Sequence, residues 1–337
     1  MGYANGCGMC VNGVIDVCEY MFGAFLRAPL TPRQRLIFRY IARLLLIVPE
    51  ATIETMRDFL QEPERAAPYI DKLDGNTREF FKKQFFSNEF DDTRGQILTR
   101  VWGVLENTTL EHMFCNKRNK VNIYEAMNQG SLILINTAKD FLKQEGTEFL
   151  GRFFIALICQ AAQERASIPA DERMPTFVYI DEAHDYFDES IEKLLEQARK
   201  YKVGMLLAHQ HLDQFKDNLR STVGTNTAIK LTGGLSAKDA RSFSEDMRTS
   251  PEYLLSMRKD GEKKQTQFAC FVKDLTRSPI ALTIPLGTME KEPTMSQAEH
   301  AALIAANRLR VCNFDDDPDN PLPPTSNGSD PDNPELL

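Results

Sequence analysis

The stretch Thr176-Phe177-Val178-Tyr179-Ile180-Asp181-Glu182-Ala183-His184 decides the reading of this sequence. Four apolar residues run straight into two adjacent carboxylates. A short, continuous apolar run is what a strand buried on both faces of a parallel sheet shows. Neighbouring side chains on a strand point to opposite faces. At the strand's carboxyl end the chain turns, however, and Asp181 and Glu182 both come within reach of the crevice where open α/β sheets hold ligands.

Similar runs lie on either side. Leu132-Ile133-Leu134-Ile135, Met205-Leu206-Leu207-Ala208 and Ala228–Leu231 each predict a buried strand. Helical patterns separate them: Phe149, Leu150, Phe153, Phe154, Leu157 and Ile158; then Ile191, Leu194, Leu195 and Ala198; then a helix around Leu212–Leu219. Such alternation predicts an α/β fold with a parallel sheet. Gln267–Val272 and Ile280–Ile284 read as a hairpin or edge pair, and about Ala298–Leu309 as a helix. Upstream the pattern is helical throughout. Thr31-Pro32-Arg33-Gln34 is a capping box with Pro at the first helical position. The expected organisation is a disordered leader (1–13), an all-α domain (14–127), an α/β core ending in the hairpin (128–290), a helix (291–312) and a disordered acidic tail (313–337).

Of the 337 residues, 42% are hydrophobic and 26% charged, which excludes collagen-like, low-complexity and wholly disordered chains. No apolar run reaches the ~18–20 residues that cross a bilayer; the best, Leu36–Val48, is interrupted by Arg39 and Arg43. The net charge is −8, and the tail beyond Arg310 holds seven acidic residues with no Lys or Arg, so the body is near neutral. It lacks the basic field of a protein that holds duplex DNA by itself. The odd, scattered set of seven cysteines argues for reduced thiols. Cys7 and Cys10 form a lone C-x-x-C with no second pair, which reads as part of a flexible N-terminal leader before it reads as a zinc or redox site.

The carboxylate pair has the Walker B pattern. There an Asp orders the water shell of Mg2+, and a Glu polarises the water that attacks a γ-phosphate. The plainer alternative is a strand ending in a solvated acidic turn. Two further residues favour the first reading. Gln210 stands at the end of the 205–208 run, where an amide can hydrogen-bond a γ-phosphate or the attacking water. Arg199 closes a helical segment, where it can enter a neighbour's site and stabilise transition-state charge. Separately these read as an ordinary amide and a dipole-favoured cation; the ordered set is the stronger signal.

At these residues the sequence resembles the HerA–FtsK superfamily of hexameric P-loop ATPases, above all the coupling proteins of conjugative type IV secretion (TraG/TraD kind). The likeness runs from about Ile15 to Gly287. Its most specific segments are Ile133–Asp140, Phe177–Phe187, Gln197–Tyr201, Ala208–Gln210 and Asn226–Leu231. The resemblance implies an α/β, RecA-like parallel-sheet core with an inserted all-α domain, and rings that move DNA using ATP and Mg2+. It also implies relaxosome and type IV secretion partners, and a cytoplasmic location at the inner face of the membrane. Carried over, it makes Asp181 the acid associated with Mg2+ through water and Glu182 the catalytic base. Gln210 becomes the nucleotide-contacting sensor and Arg199 the trans-acting arginine finger.

One departure is large. A Walker A loop needs G-x-x-x-x-G-K-[ST], and this sequence contains no Gly-Lys dipeptide. The expectation is therefore an incomplete, N-terminally truncated core without autonomous ATP hydrolysis. In the family's topology the strand bearing Gln210 lies between the Walker B strand and the P-loop strand. Met205–Ala208 is expected to pair with Phe177–Ile180, its other side empty, irregularly filled, or closed onto Ala228–Leu231. The alternatives are a non-catalytic ring subunit supplying Arg199 in trans, and a HerA-like DNA-repair ATPase. Asp181-Glu-Ala-His184 also spells the DEAH box of superfamily 2 helicases, whose other motifs are missing. His184, His209 and His211 read as packing or surface groups. Lys117-Arg118, Lys120, Arg258-Lys259 and Lys263-Lys264 read as solvated loop charge or phosphate contacts.

Overall fold

The structure is a computed structural model that describes residues 13, 15–17, 30–186, 198–212 and 217–311. Cys7, Cys10, the 313–337 tail and most of the helix expected around Ile191–Ala198 lie outside the described residues. Residues up to Pro293 form one compact unit and those from Thr294 another; in the second the described element is a helix, Gln297–Val311.

Helix α1 (Pro32–Ile47) starts where the sequence signals it. Gln34 N donates to Thr31 Oγ1 at 3.3 Å, and Thr31 N donates back to Gln34 Oε1 at 3.1 Å. Its buried stripe is Gln34, Ile37, Phe38, Ile41, Ala42 and Leu44. Helices α2 (Ile53–Gln61), α3 (Asp91–Glu106) and α4 (Thr108–Phe114) join it around a shared core that includes Phe80, Phe81, Phe85 and Phe90. The Phe80 and Phe90 rings meet edge to face, 5.8 Å between centroids, the arrangement favoured by aromatic quadrupoles. A short α5 (Ile123–Gln129) ends at Gly130, whose φ of 70° is a left-handed stop.

Helix α6 (Lys139–Glu164) ties this block to the α/β part. Phe149 sits in the aromatic core, whereas Ile155, Ala161 and Ala162 sit in a second core with Ile180 and Val203. Lys143, at φ 59° and ψ 172°, breaks α6 after its first turn.

Strands β1 (Thr176–Ile180) and β2 (Val203–Leu207) pair in parallel, Phe177 opposite Gly204 and Tyr179 opposite Leu206. Strand β3 (Ile229–Thr232) belongs to a second, antiparallel sheet. There it and the two-residue β4 (Lys259–Asp260) flank one edge of β5 (Gln265–Val272), and β6 (Ile280–Pro285) pairs with β5 on the other. Helices α7 (Asp217–Asn226), α8 (Ala237–Asp246) and α9 (Pro251–Ser256) complete the unit. Ser236 caps α8, accepting from Asp239 N at 3.1 Å.

Three expectations need correction. Leu132–Ile135 takes no regular secondary structure and belongs to no ladder among the described residues, and Leu132 and Leu134 are each 86% exposed. Ala228–Leu231 does not continue the parallel sheet, because β5 supplies a closer antiparallel partner; β2 is not closed onto β3. Nor is β1 buried on both faces. Val178 and Ile180 turn into the second core, whereas Phe177 and Tyr179 remain 62% and 73% exposed.

Candidate catalytic edge

Parallel pairing puts the carboxyl ends of β1 and β2 side by side. Two backbone bonds hold these ends together: Ala208 N donates to Ile180 O at 2.9 Å, and Ala183 N to Ala208 O at 2.8 Å. Just beyond them, Gln210 Nε2 donates to Glu182 Oε1 at 2.5 Å. Glu182 has left-handed backbone (φ 45°, ψ 46°), which costs a residue with a Cβ roughly 1–2 kcal/mol. Such strain persists only where the surroundings impose it, and it clusters at functional sites. Asp181 is exposed, its Oδ1 accepting from Glu182 N at 2.9 Å.

Behind this pair stands a polar network not assigned from sequence. His184 lies between two carboxylates, Nδ1 3.4 Å from Glu182 Oε2 and Nε2 3.5 Å from Asp185 Oδ1. Asp185 is buried; Lys139 Nζ lies 2.9 Å from its Oδ2, and Gln144 Nε2 donates to its Oδ1 at 3.1 Å. Burial pushes the Asp185 carboxyl up, but the hydrogen bonds from Lys139 and Gln144 outweigh it and hold the group below its ordinary value. The bond to Asp185 correspondingly raises the Lys139 ammonium. Lys139 and Gln144 flank the Lys143 break, so the kink lets both reach one carboxylate. Nothing in the local sequence signals this network, whose members Lys139, Gln144 and Asp185 are up to 46 positions apart.

Arg199 is placed differently. It is exposed on the helical turn Ala198–Tyr201, before β2 begins. Glu182 and Gln210 lie past the other end of the strand pair, roughly 17 Å of β-structure away. Within one chain the structure therefore joins Glu182, Gln210 and the adjoining Asp181, and sets Arg199 apart. His209 is half-buried, and burial lowers its imidazole pKa. His211 Nδ1 lies 3.6 Å from Asp239 Oδ2. The basic clusters at 117–120 and 258–264 are solvent-exposed.

The donor set suits one half of a nucleotide site. An exposed carboxylate, a second one held by an amide, and a buried acid behind them fit a metal's water shell and a polarised water. They do not make a phosphate cradle, and among the described residues no cluster of three His, Cys, Asp or Glu is arranged to hold a metal directly. Among the described residues no helix is long and apolar enough to cross a membrane.

No protein-family model matches the sequence, and no curated protein matches it. Solved structures do. The unbound bacterial conjugative coupling protein TrwBdeltaN70 superposes with a TM-score of 0.56 at 12% identity, over 84% of this chain and 68% of that one. TrwB with ADP and Mg2+ gives 0.58 at 12% identity, over 87% and 71%. TrwB with the non-hydrolysable GTP analogue GDPNP gives 0.54 at 14% identity, over 84% and 69%. The chain thus has an α/β, RecA-like fold similar to that of the conjugative coupling protein TrwB.

Proposed function

We propose that this chain is a subunit of an ATP-driven DNA translocase, a coupling ATPase of conjugative type IV secretion, and that it contributes the catalytic edge of the nucleotide site. The observation that carries this reading is the 2.5 Å contact between Gln210 and Glu182 at the carboxyl ends of parallel strands, in a TrwB-like fold. Bound Mg·ATP would supply the activated γ-phosphate. Asp181 would hold the metal's water shell, and Glu182 would accept a proton from the attacking water. Gln210 would fix the Glu182 carboxylate and sense the γ-phosphate. Arg199, at the far end of the strand pair, would serve the adjoining subunit of a hexameric ring. DNA and relaxosome or secretion proteins would be its partners, on the cytoplasmic side of the membrane.

The absence of a Gly-Lys dipeptide favours a second reading, a non-catalytic ring subunit that supplies Arg199 in trans. Calorimetric titration of the full chain with Mg·ATP separates the two. The motor reading expects binding that Asp181→Asn weakens, with DNA-dependent phosphate release that Glu182→Gln abolishes. The second expects no binding. Binding and turnover that ignore both substitutions refute the assignment of the site.

A further inference from the structure

Glu182 is held firmly at one oxygen only. Gln210 Nε2 donates to its Oε1 at 2.5 Å. Its Oε2 is buried and accepts no hydrogen bond among the described residues. His184 Nδ1 lies 3.4 Å from that Oε2, and the other ring nitrogen, Nε2, lies 3.5 Å from Asp185 Oδ1. One imidazole, its side chain 20% exposed, thus stands between two carboxylates.

The neighbours decide where the ring carries its hydrogen. Gln144 Nε2 donates to Asp185 Oδ1 at 3.1 Å, and Lys139 Nζ lies 2.9 Å from Oδ2. Burial pushes this carboxyl up, but the two donors outweigh burial and keep it ionised. An ionised carboxylate only accepts hydrogen bonds. The hydrogen between the ring and Asp185 therefore belongs to Nε2, and the partner of one ring nitrogen sets the state of the other. Nδ1 becomes the acceptor of the neutral ring, turned towards the Glu182 oxygen that lacks a donor. Two acceptors that face each other leave a place for one proton. From other elements, Lys139 on α6 reaches this cluster through Asp185, and His209 at the end of β2 lies within electrostatic reach of His184 and Glu182.

We propose that His184 is a positioning residue for Glu182: Asp185 fixes its hydrogen on Nε2, and its Nδ1 takes over the proton that Glu182 accepts. The transfer rests on the reading of Glu182 as the base, whereas the state of the ring does not.

Oε1 already accepts from Gln210, so a proton on Glu182 is best placed on Oε2. The Oε2–H bond then breaks, an Nδ1–H bond forms, and the Glu182 carboxylate is restored. The resulting imidazolium keeps its Nε2–H on Asp185, whose negative charge offsets the new positive one. Separations of 3.4 and 3.5 Å are long for such bonds, as they are in many catalytic sites before substrate tightens them.

The test uses the full chain with 15N-labelled histidine, at about pH 8, above the ordinary imidazole value of about 6.5. His184→Gln identifies the His184 resonances by their loss. Without nucleotide, long-range 1H–15N correlation should place the hydrogen on Nε2 and none on Nδ1. Asp185→Asn leaves Glu182 as the one carboxylate beside the ring, so the hydrogen should move to Nδ1. Glu182→Gln should leave it on Nε2. A histidine that merely fills space would not change tautomer in this reciprocal way. Where the parent hydrolyses ATP, His184→Gln should lower kcat roughly tenfold or more and leave KM within about twofold. The proposal is overturned if Nδ1 carries hydrogen in the resting parent, if Asp185→Asn leaves the tautomer unchanged, or if His184→Gln leaves kcat unchanged. A parent without turnover refutes Glu182 as the base, and the transfer with it, while the ring spectra still decide whether Asp185 positions His184.

Discussion

Arg165 is the side chain whose removal the structure makes most costly. It is 0% exposed, yet its guanidinium reaches four neutral oxygens on separate segments. Nη2 donates to Met127 O at 2.7 Å and to Thr176 Oγ1 at 2.8 Å; Nη1 donates to Met174 O at 2.9 Å and to Tyr201 O at 3.2 Å. These acceptors lie at the end of α5, on the approach to β1, at the first residue of β1 and on the turn that leads into β2. Burial lowers the guanidinium pKa, but an arginine stays charged in a folded protein. Replacement by Met relieves the desolvation of a charge and leaves buried oxygens without their donor. Each buried acceptor left unsatisfied costs about 1–3 kcal/mol, so losing the donor shared by four of them costs about 3–5 kcal/mol after partial relaxation, out of a total stability of roughly 5–15 kcal/mol. Urea unfolding of Arg165→Met, followed by far-UV circular dichroism, should show a loss of that size. Arg165→Lys should lose about half of it, because an ammonium is a compact point charge and lacks the planar fork that reaches all four oxygens. Amide exchange should accelerate first in Thr176–Ile180. A Met variant within about 1 kcal/mol of the parent refutes the reasoning, since the cage would then contribute no more than one ordinary hydrogen bond.

Lys143 occupies backbone at φ 59° and ψ 172° that is essentially reserved for glycine. Lys143→Gly should therefore stabilise the chain by roughly 0.5–1 kcal/mol after the entropy cost of glycine, read as a higher urea midpoint. Gly204→Val would put a Cβ 2.9 Å from the Phe177 ring, but that ring is exposed and can rotate into solvent, so the urea midpoint should correspond to a stability within about 0.5 kcal/mol of the parent. The Asp185 carboxyl titrates lower in the folded chain than in the unfolded one, so its contribution is fully present above the unfolded value near ~4 and is lost as pH falls through the folded value. Thermal melts should accordingly fall more steeply with acidification below about pH 4 in the parent than in Asp185→Asn. Burial depresses the His209 imidazole, so the stability it confers is present above about pH 6.5 and falls away on acidification. His209→Gln should flatten the melting temperature between about pH 7 and pH 5.

What could be read from the sequence follows the range of the interactions involved. Thr31 and Gln34 cap α1 through contacts three residues apart, so the signal is complete in the local sequence. Glu182 and Gln210 were also legible, for a longer-range reason. Each follows an apolar run of similar length, and parallel register brings the ends of such runs together. Leu132–Ile135 shows where this logic stops. Its composition matches that of β1, but a strand also needs a neighbour at hydrogen-bonding distance, which composition does not encode. Ala228–Leu231 does form a strand, yet its partner is β5, some forty residues on, and so it left the parallel sheet. The link between Lys139 and Asp185 spans 46 positions and depends on a break in α6 at a residue with no helix-breaking character. Nothing marks Lys143 as a residue with positive φ, so neither the kink nor the network behind Glu182 could be foreseen.

The most direct test of the catalytic edge is the side-chain amide resonance of Gln210 as Mn2+·ATP is added to the full chain, the paramagnetic ion standing in for Mg2+. The account predicts that this resonance and the backbone amides of Asp181 and Glu182 broaden together, and that Asp181→Asn removes the effect. A sharp Gln210 resonance while signals elsewhere broaden, or broadening that Asp181→Asn leaves intact, would contradict it.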